Sequence, residues 1–573
     1  MKTKFLFLSL SIGMLSALKA QVYFDFIAVN NVSITPVTSN GYLGFYGSGS
    51  GGFYVPKNNG TSAVFATALW MGGLDAGGQL HLAAQTYAQS GNDFTYGPYP
   101  SSSASFSWNK VWKIRKTMID SFKLNLYSSI PPQIATWPAN GNTSLGQAAQ
   151  LAPFKDLNNN GIYEPNLGEY PCIKGDEALY TIYNDDVTHY ETQGLPLGVE
   201  VHQMIYGFNQ PNDSALWNTV FFNYRIINRS NNTYNPFYLT LWSDVDVGNY
   251  SDDYVGTDVN RNAIYGYNGD NYDETVSGTP GYGNRIPVTG FCFLDFPLAP
   301  ANDGIDNNRN CIIDEVNETT ALSSSMSYHN NFGSFPPATT NPTIAANYWT
   351  YIQSKWKDSS DLKRGGDGFH SSPLSYKFFF PDSTDNQYGW GAGGNCLSPV
   401  TFTNSWDMNS VGLQPIDQRI MGTIGPMILP PNGEICFNFA YIFAQDSIVP
   451  DSIYPVRLFK HRVDQVQSFF TANQLGGCGC YIFTSVPEFY NWVNSIYPNP
   501  ANDVLHLKLH NDILIKKISI TDVTGKIIEL KPKNNLYDKE LVIDISSLAD
   551  GYYILNLENS FGEKVYHPII IQH

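Results

Sequence analysis

Charge is scarce in this chain of 573 residues: Asp, Glu, Lys and Arg make up 14 % of it, against about 25 % in an ordinary soluble domain. Positive charge is scarcest. Lys and Arg number 33 against 50 Asp and Glu, for a net charge of −17. That argues against a nucleic-acid partner, which needs clustered cations facing phosphate, and is compatible with bound divalent cations. Beyond Leu18 no apolar run approaches the about 18 residues that a membrane-crossing helix requires, so no integral membrane segment is expected. Cysteine is confined to seven positions, Cys172, Cys292, Cys311, Cys396, Cys436, Cys478 and Cys480. The odd count leaves at least one unpaired. Cys478-Gly-Cys480 lacks the CxxC spacing of a zinc site, so partial disulfide pairing is the expectation, with connectivity open. No HExxH helix and no GxSxG elbow occurs. Gly389–Gly394 fits GxGxxG, but Trp390 in the turn, the nearby Pro399 and the missing βαβ pattern make it a loop. His189, His202 and His370 are scattered among aromatic and polar residues and read as packed or surface histidines rather than bases.

What the chain has is aromatic residues, 14 % with 37 Tyr, together with abundant Gly, Asn, Ser and Thr. That is a composition for sheets and ordered loops. Met1–Ala20 opens with Lys2 and Lys4 and continues in an apolar run from Phe5 to Leu18, the order of a secretory signal peptide. Cleavage is expected before Gln21, and no cysteine follows it to carry a lipid anchor. At about 150 residues per domain the length allows two to four domains. Phe65–Asp75 and Gln79–Tyr87, joined by Ala76-Gly-Gly78, read as a β-hairpin. Val201–Phe208, Trp217–Asn228 and Phe237–Asp244 read as a hairpin or meander, and Lys110–Leu126 is closer to helical spacing. Val456, Phe459, Val463, Val466 and Phe470 fall on one face of a helix that closes this large region.

Two loops carry the sharpest motifs. In Asp156-Leu-Asn158-Asn-Asn160-Gly161-Ile162-Tyr-Glu164, side-chain oxygens fall at positions 1, 3, 5 and 9, Gly sits at position 6, and Ile162 offers its carbonyl at 7. This is the front half of an EF-hand-type calcium loop. Position 12 is Leu167, so the usual bidentate glutamate is missing, and Glu169 could replace it if the loop bends as in dockerin-like or thrombospondin-like variants. Counting from Asp306, the second loop offers Asp306, Asn308, Asn310, the Ile312 carbonyl and Asp314, with Cys311 where the turn glycine belongs. The first stretch could instead be a polar Asx-turn loop without metal. A third acidic group comprises Asp244, Asp246, Asp252, Asp253 and Asp258. Asp244 and Asp246, two apart after a strand, point the same way. They could bind calcium or serve as acid and base in a hydrolase, although a solvated strand end is the commoner arrangement.

The last 80 or so residues alternate as short strands: Val504–Leu509, Lys517–Thr521, Leu541–Ile545, Tyr553–Leu557 and Lys564–Ile571, with turns at Asp522–Gly525, Asp550-Gly551 and Asn559–Gly562. That spacing predicts a small antiparallel sandwich. Tyr497-Pro-Asn-Pro500, Asp522-Val-Thr-Gly-Lys526, Ile543–Leu548 and Asp550-Gly-Tyr-Tyr553 resemble the type A C-terminal sorting domain of the type IX secretion system of Bacteroidetes. Such tails often carry further lysines around the final strand, where this one has Lys564 and then His567-Pro568. The resemblance implies recognition by the translocon, removal of the tail in the linker by a cell-surface processing enzyme, and release or attachment to surface polysaccharide. The middle of the chain, through Leu69–Asp75, Ala83–Tyr87, Leu151–Phe154, Gly198–His202, Asp252–Gly256 and Asn302–Asp306, resembles a group of exported Bacteroidetes proteins and supplies architecture without mechanism.

The expectation is therefore a mainly β chain. Residues 1–20 are a signal peptide, 21–475 a β-rich cargo region with a few helices and calcium-type loops, and 476–494 a linker. Residues 495–573 are an immunoglobulin-like antiparallel β-sandwich that sorts the chain. The expected role is that of a secreted or outer-membrane-surface protein, stabilised by Ca2+, in structure, adhesion or glycan binding. The alternative is a secreted hydrolase of polysaccharide or peptide with Asp244 or Asp246 as its carboxylates.

Overall fold

The computed structural model describes residues 23–47, 52–276, 278–330, 335–445, 454–480, 493–509, 515–522, 524–534, 540–559 and 564–573. The expected signal peptide, Met1–Ala20, and linker residues 481–492 lie outside the described residues. Strands hold 38 % of the chain and helices 12 %, so the chain is mainly β.

Every residue of Glu177–Asn184 and Val199–Gly207 is buried, and all but Arg225 in Thr219–Asn228. Strands buried on both faces need a cover on each side. They belong to a nine-stranded antiparallel sheet in the order Asp253–Asp258, Ala263–Asn268, Pro287–Asp295, Glu434–Gln445, Thr219–Asn228, Val199–Gly207, Glu177–Asn184. Thr95–Tyr96 and Trp112–Arg115 both pair with the last of these. The period of two divides the core. Leu179, Val201, Ile205, Phe222 and Phe439 face one way; Tyr180, Met204, Phe221, Cys292 and Ile442 face the other.

The first face packs on a five-stranded sheet of order Leu322–His329, Gln418–Leu429, Tyr234–Asp244, Ala66–Leu74, Leu80–Ala83. Ser243 Oγ on this sheet hydrogen-bonds the hydroxyl of Tyr441 on the larger one. The second face is covered by helix Tyr454–Ala472 and by a lobe of short helices and loops between residues 116 and 175. The helix buries Phe459, Val463, Val466 and Phe470, the stripe its spacing predicted, each side chain contributing about 1.5–3 kcal/mol.

The hairpin at 66–83 is as expected, its turn closed by Asp75 Oδ1 accepting from Gly77 and Gln79 N–H at 2.9 Å. Two other readings need correction. Helix covers only Lys116–Lys123 of the expected Lys110–Leu126; Trp112–Arg115 is a strand, because Trp112 and Ile114 alternate into the core. The expected meander also splits. Val199–Gly207 and Thr219–Asn228 pair, but Tyr234–Asp244 crosses to the smaller sheet, and Glu434–Gln445 takes the free side of Thr219–Asn228.

Disulfides join Cys172 to Cys480, Cys311 to Cys396 and Cys436 to Cys478, leaving Cys292 free and buried. Residues 478 and 480, within the expected linker, are thus tied to the cargo sheet and lobe. In the tail, Val493–Tyr497, Val504–Leu509 and Glu540–Asp544 form one sheet, and Ile527–Leu530, Ile515–Asp522, Gly551–Asn559 and Lys564–Ile571 a second. Leu505, Leu507, Ile518, Ile520, Leu541, Ile543, Leu555 and Leu557 fill the space between. Gly525, at φ +87°, supplies the turn after Asp522.

One buried acid tunes stability with pH. Burial pushes Glu191 up to about 7, although Thr86 Oγ and Tyr348 Oη (3.0 Å) donate to its Oε1; Asp93 adds to the rise. The unfolded chain releases this proton near pH 4.3, so between there and about 7 the folded state binds more protons and stability falls as pH rises. The loss is on the order of 3 kcal/mol. Urea unfolding from pH 4 to 8 should show a shallower decline for Glu191→Gln than for wild type, the difference being about 3 kcal/mol, with the variant more stable than wild type at pH 8; parallel profiles would refute it.

Candidate metal centres

Both oxygen-rich loops fold in the same way, although one has glycine and the other cysteine at the sharp bend. In the first, Asp156 Oδ1 accepts from Asn159 N–H at 2.6 Å and Oδ2 from Gly161 N–H at 2.8 Å. Asn158 Oδ1 accepts from Asn160 N–H at 3.0 Å and Asn160 Oδ1 from Ile162 N–H at 2.8 Å. In the second, Asp306 Oδ1 accepts from Asn310 N–H at 3.0 Å and Oδ2 from Cys311 N–H at 2.7 Å. Asn308 Oδ1 accepts from Asn310 N–H at 3.0 Å and Asn310 Oδ1 from Ile312 N–H at 2.8 Å. Left-handed residues fall at the same places, Asn159 and Gly161 at φ +60° and +75°, Arg309 and Cys311 at φ +64° and +73°. Glycine adopts such a φ freely and cysteine does not; the bond from Cys311 to Cys396 fixes the bend where side-chain sterics oppose it.

Each loop is closed by two carboxylates. Glu164 Oε2 accepts from the side-chain amides of Asn158 (3.1 Å) and Asn160 (2.6 Å). Glu169, fully buried, accepts from Leu157 N–H at 3.0 Å and Glu164 N–H at 2.7 Å. Glu169 thus folds into the loop although it lies beyond the usual last position. In the second loop the corresponding carboxylates are Glu315, which accepts from Asn308 (2.6 Å) and Asn310 (2.7 Å), and Glu318, which accepts from Asn307 N–H at 2.5 Å. Asp314 does not join them. Its left-handed backbone turns the carboxylate to the N–H groups of Asp303 and Gly304, and the next residue takes its place. Sequence reasoning missed both Glu315 and Glu318; aligning the two loops, with the second shorter by one residue before its final acid, would have found Glu318. The N–H of Gly161 and its neighbours holds the Asp156 carboxyl below its ordinary range, and the Asn308 amide does the same for Glu315. Burial raises Glu318, whose Oε2 has no hydrogen-bond partner.

Each loop therefore offers side-chain oxygens and two acids of the oxygen-only donor class of a hard cation, whereas the described carboxylates that lie as a trio within 4.8 Å of one another are Asp244, Asp246 and Asp417. The Cys311 and Cys396 sulfurs close to Asp306 are bonded to each other and are not thiolate ligands.

The third acidic group divides. Asp258 leaves it, paired with Arg261 at 3.0 Å. Asp252 and Asp253 lie with Asp273, which sequence reasoning had not selected; Asn249 donates to Asp252 Oδ2 at 2.7 Å, and its N–H to Asp273 Oδ1 at 2.9 Å. Asp244 and Asp246 lie with Asp417 and Arg419, which only strand pairing could reveal. Burial pushes Asp244 and Asp273 up to about 6 and Asp252 up to about 7, and raises Asp246 and Asp253 well above the carboxylate range. Two open depressions, of about 410 and 390 Å3, lie elsewhere. The first presents Trp108 among Asn140, Asn142 and Gln147, the second Asn58, Asn59 and Arg285. Neither is lined by these carboxylates.

Residues 495–572 match the family described as the secretion system C-terminal sorting domain. No curated protein matches the chain. Among solved structures, a polysaccharide lyase aligns with 65 % of this chain and 34 % of its own at 6 % identity and a TM-score of 0.17. The chain thus spans about a third of that protein's length, and a likeness so slight says nothing about chemistry.

Removing the closing acid should loosen the first loop measurably. Glu169→Ala strips acceptors from two N–H groups and should lower the urea midpoint by an amount equivalent to about 2–3 kcal/mol, with Glu169→Gln losing about half as much. A Glu169→Ala protein as stable as wild type would show that the acid does not hold the loop.

Proposed function

We propose that this chain, a cargo of the type IX secretion system directed outside the cell by its sorting domain, is a calcium-stabilised β-rich protein with a structural, adhesive or glycan-binding role. The observation that carries the reading is the shared hydrogen-bond pattern of the loops at 156–169 and 306–318, which converges on the same oxygens from two different sequences. Asp156, Asn158, Asn160, the Ile162 carbonyl, Glu164 and Glu169 would hold one ion. Asp306, Asn308, Asn310, the Ile312 carbonyl, Glu315 and Glu318 would hold the other. Two asparagines in each loop lower its negative charge, which fits a weak site of about 10⁻⁴–10⁻³ M that calcium fills outside the cell.

The ions would stabilise segments that apolar burial leaves uncovered. Leu157, Ile162 and Leu167 in the first loop and Ile305, Ile312 and Val316 in the second are exposed, so apolar burial holds the first loop mainly at Tyr163 and leaves most of both loops uncovered. For a glycan, the depression at Trp108 offers an indole beside amides, a pairing suited to a sugar's apolar face and hydroxyls. The tail implies contact with the type IX secretion machinery, and surface polysaccharide is the further partner this reading adds.

Full-length protein melted in 10 mM calcium and in chelator should differ by several degrees. A site of that affinity contributes about 1.4–2.7 kcal/mol at this concentration. Asp156→Ala combined with Asp306→Ala should lose two bound calcium ions by elemental analysis, and equal counts would remove the loops from the proposal. On an array of bacterial surface glycans, Trp108→Ala should abolish the signal that wild type gives; no signal from wild type would remove the glycan role.

A further inference from the structure

Strand register creates a third acidic centre that neither loop contains. Tyr234–Asp244 and Gln418–Leu429 run antiparallel with Asp244 opposite Arg419. Asp246 lies two residues past the end of the first strand and Asp417 one residue before the start of the second, so both fall at the same end of the pair. One carboxylate oxygen from each of Asp244, Asp246 and Asp417 lies within 4.8 Å of the other two. Arg419 is the cation among them, donating from Nη2 to Asp244 Oδ2 at 3.1 Å and from Nη1 to Asp417 Oδ1 at 2.5 Å. Tyr87 Oη donates to the same Asp244 Oδ2 at 2.6 Å. Three carboxylates against one guanidinium leave two negative charges, the complement of one divalent cation.

A second observation is independent of that count. Asp244 is only 2 % exposed, yet its Oδ1 accepts no hydrogen bond, and Asp246 Oδ1 is likewise buried without a donor. Buried carboxylate oxygens are ordinarily paired or bound to metal, because water has been taken from them and nothing returned. The donors around them are already committed: Tyr87 and Arg419 bond the other oxygen of Asp244, and Asn330 Nδ2 reaches Asp417 Oδ2 at 3.4 Å.

We infer that Asp244, Asp246 and Asp417 form a site for one calcium ion at the end of the five-stranded sheet, distinct from the two loops. The oxygen-only donors exclude soft metals. Oxygens within 4.8 Å of one another can share an ion at bonds of about 2.4 Å, the calcium distance, and calcium accepts the irregular coordination of such a cluster where magnesium demands near-ideal octahedral geometry. Such an ion ties the end of one central strand to the start of its neighbour.

The test compares the full chain with Asp246→Asn/Asp417→Asn, which keeps shape and removes two charges. Both proteins are dialysed against calcium or magnesium, counted for bound metal by elemental analysis, and melted with and without chelator. The variant should bind one calcium fewer than wild type, magnesium should not fill the site, and in chelator the variant should melt no lower than wild type because like-charge repulsion is gone. Equal calcium counts would overturn the site. If the double variant does not fold, Asp246→Asn is read by terbium luminescence excited through Tyr87 and Trp242, whose rings lie 5.2 Å apart beside Asp244. The emission should fall several-fold, and unchanged emission would overturn the site. Asp156→Ala/Asp306→Ala should keep this ion, which separates failure here from failure of the loops.

Discussion

A sheet with two apolar faces has to be covered twice, and most of this molecule follows from that requirement. The nine-stranded sheet carries Phe222, Tyr224 and Phe439 on one side and Tyr206, Phe221 and Ile442 on the other. Neither side can face water, since burying such side chains is the main favourable term in folding. The five-stranded sheet answers on the first side. On the second, helix Tyr454–Ala472 and the lobe before residue 175 do so. The lobe is poor in regular structure, and its backbone polar groups must be satisfied by side chains instead. That is where Asp156, Asn158, Asn160 and Glu169 are spent, each accepting from a main-chain N–H.

Local periodicity made the elements legible, and distance along the chain hid their partners. The tail strands and the helix stripe at Phe459, Val463, Val466 and Phe470 were readable because one face of each is apolar and the other is not. Val199–Gly207 has no exposed residue, so alternation could not say which face meets which cover. Thr219–Asn228 finds one neighbour across a short connection and the other in Glu434–Gln445, some two hundred residues on. No local pattern records that pairing. The same limit explains the sites. Positions 1, 3 and 5 of both loops are contiguous and were read directly, and Glu169 followed once the loop was allowed to bend. Glu315 displaced Asp314 because the backbone at Asp314 turns left-handed, and Asp417 came to Asp246 only because the strands that end at Asp244 and begin at Gln418 pair.

The sparse charge of the chain acquires a physical meaning in this light. Asp156 and Glu315 face N–H donors and can stay ionised near the surface, whereas the acids around Asp244 and Asp253 are enclosed and oppose one another. Few lysines and arginines are present to neutralise them. Arg419 and Arg261 are each shared between two carboxylates.

The bridges from Cys436 to Cys478 and from Cys172 to Cys480 also have a mechanical meaning. Helix Tyr454–Ala472 lies inside the covalent ring closed by the first of them. Tension arriving from the tail side meets Cys480 and Cys478 before it reaches the helix, and passes through sulfur into the lobe and a central strand. The helix is thereby taken out of the line of load, so hauling on the sorting domain cannot peel the cover from the sheet one turn at a time.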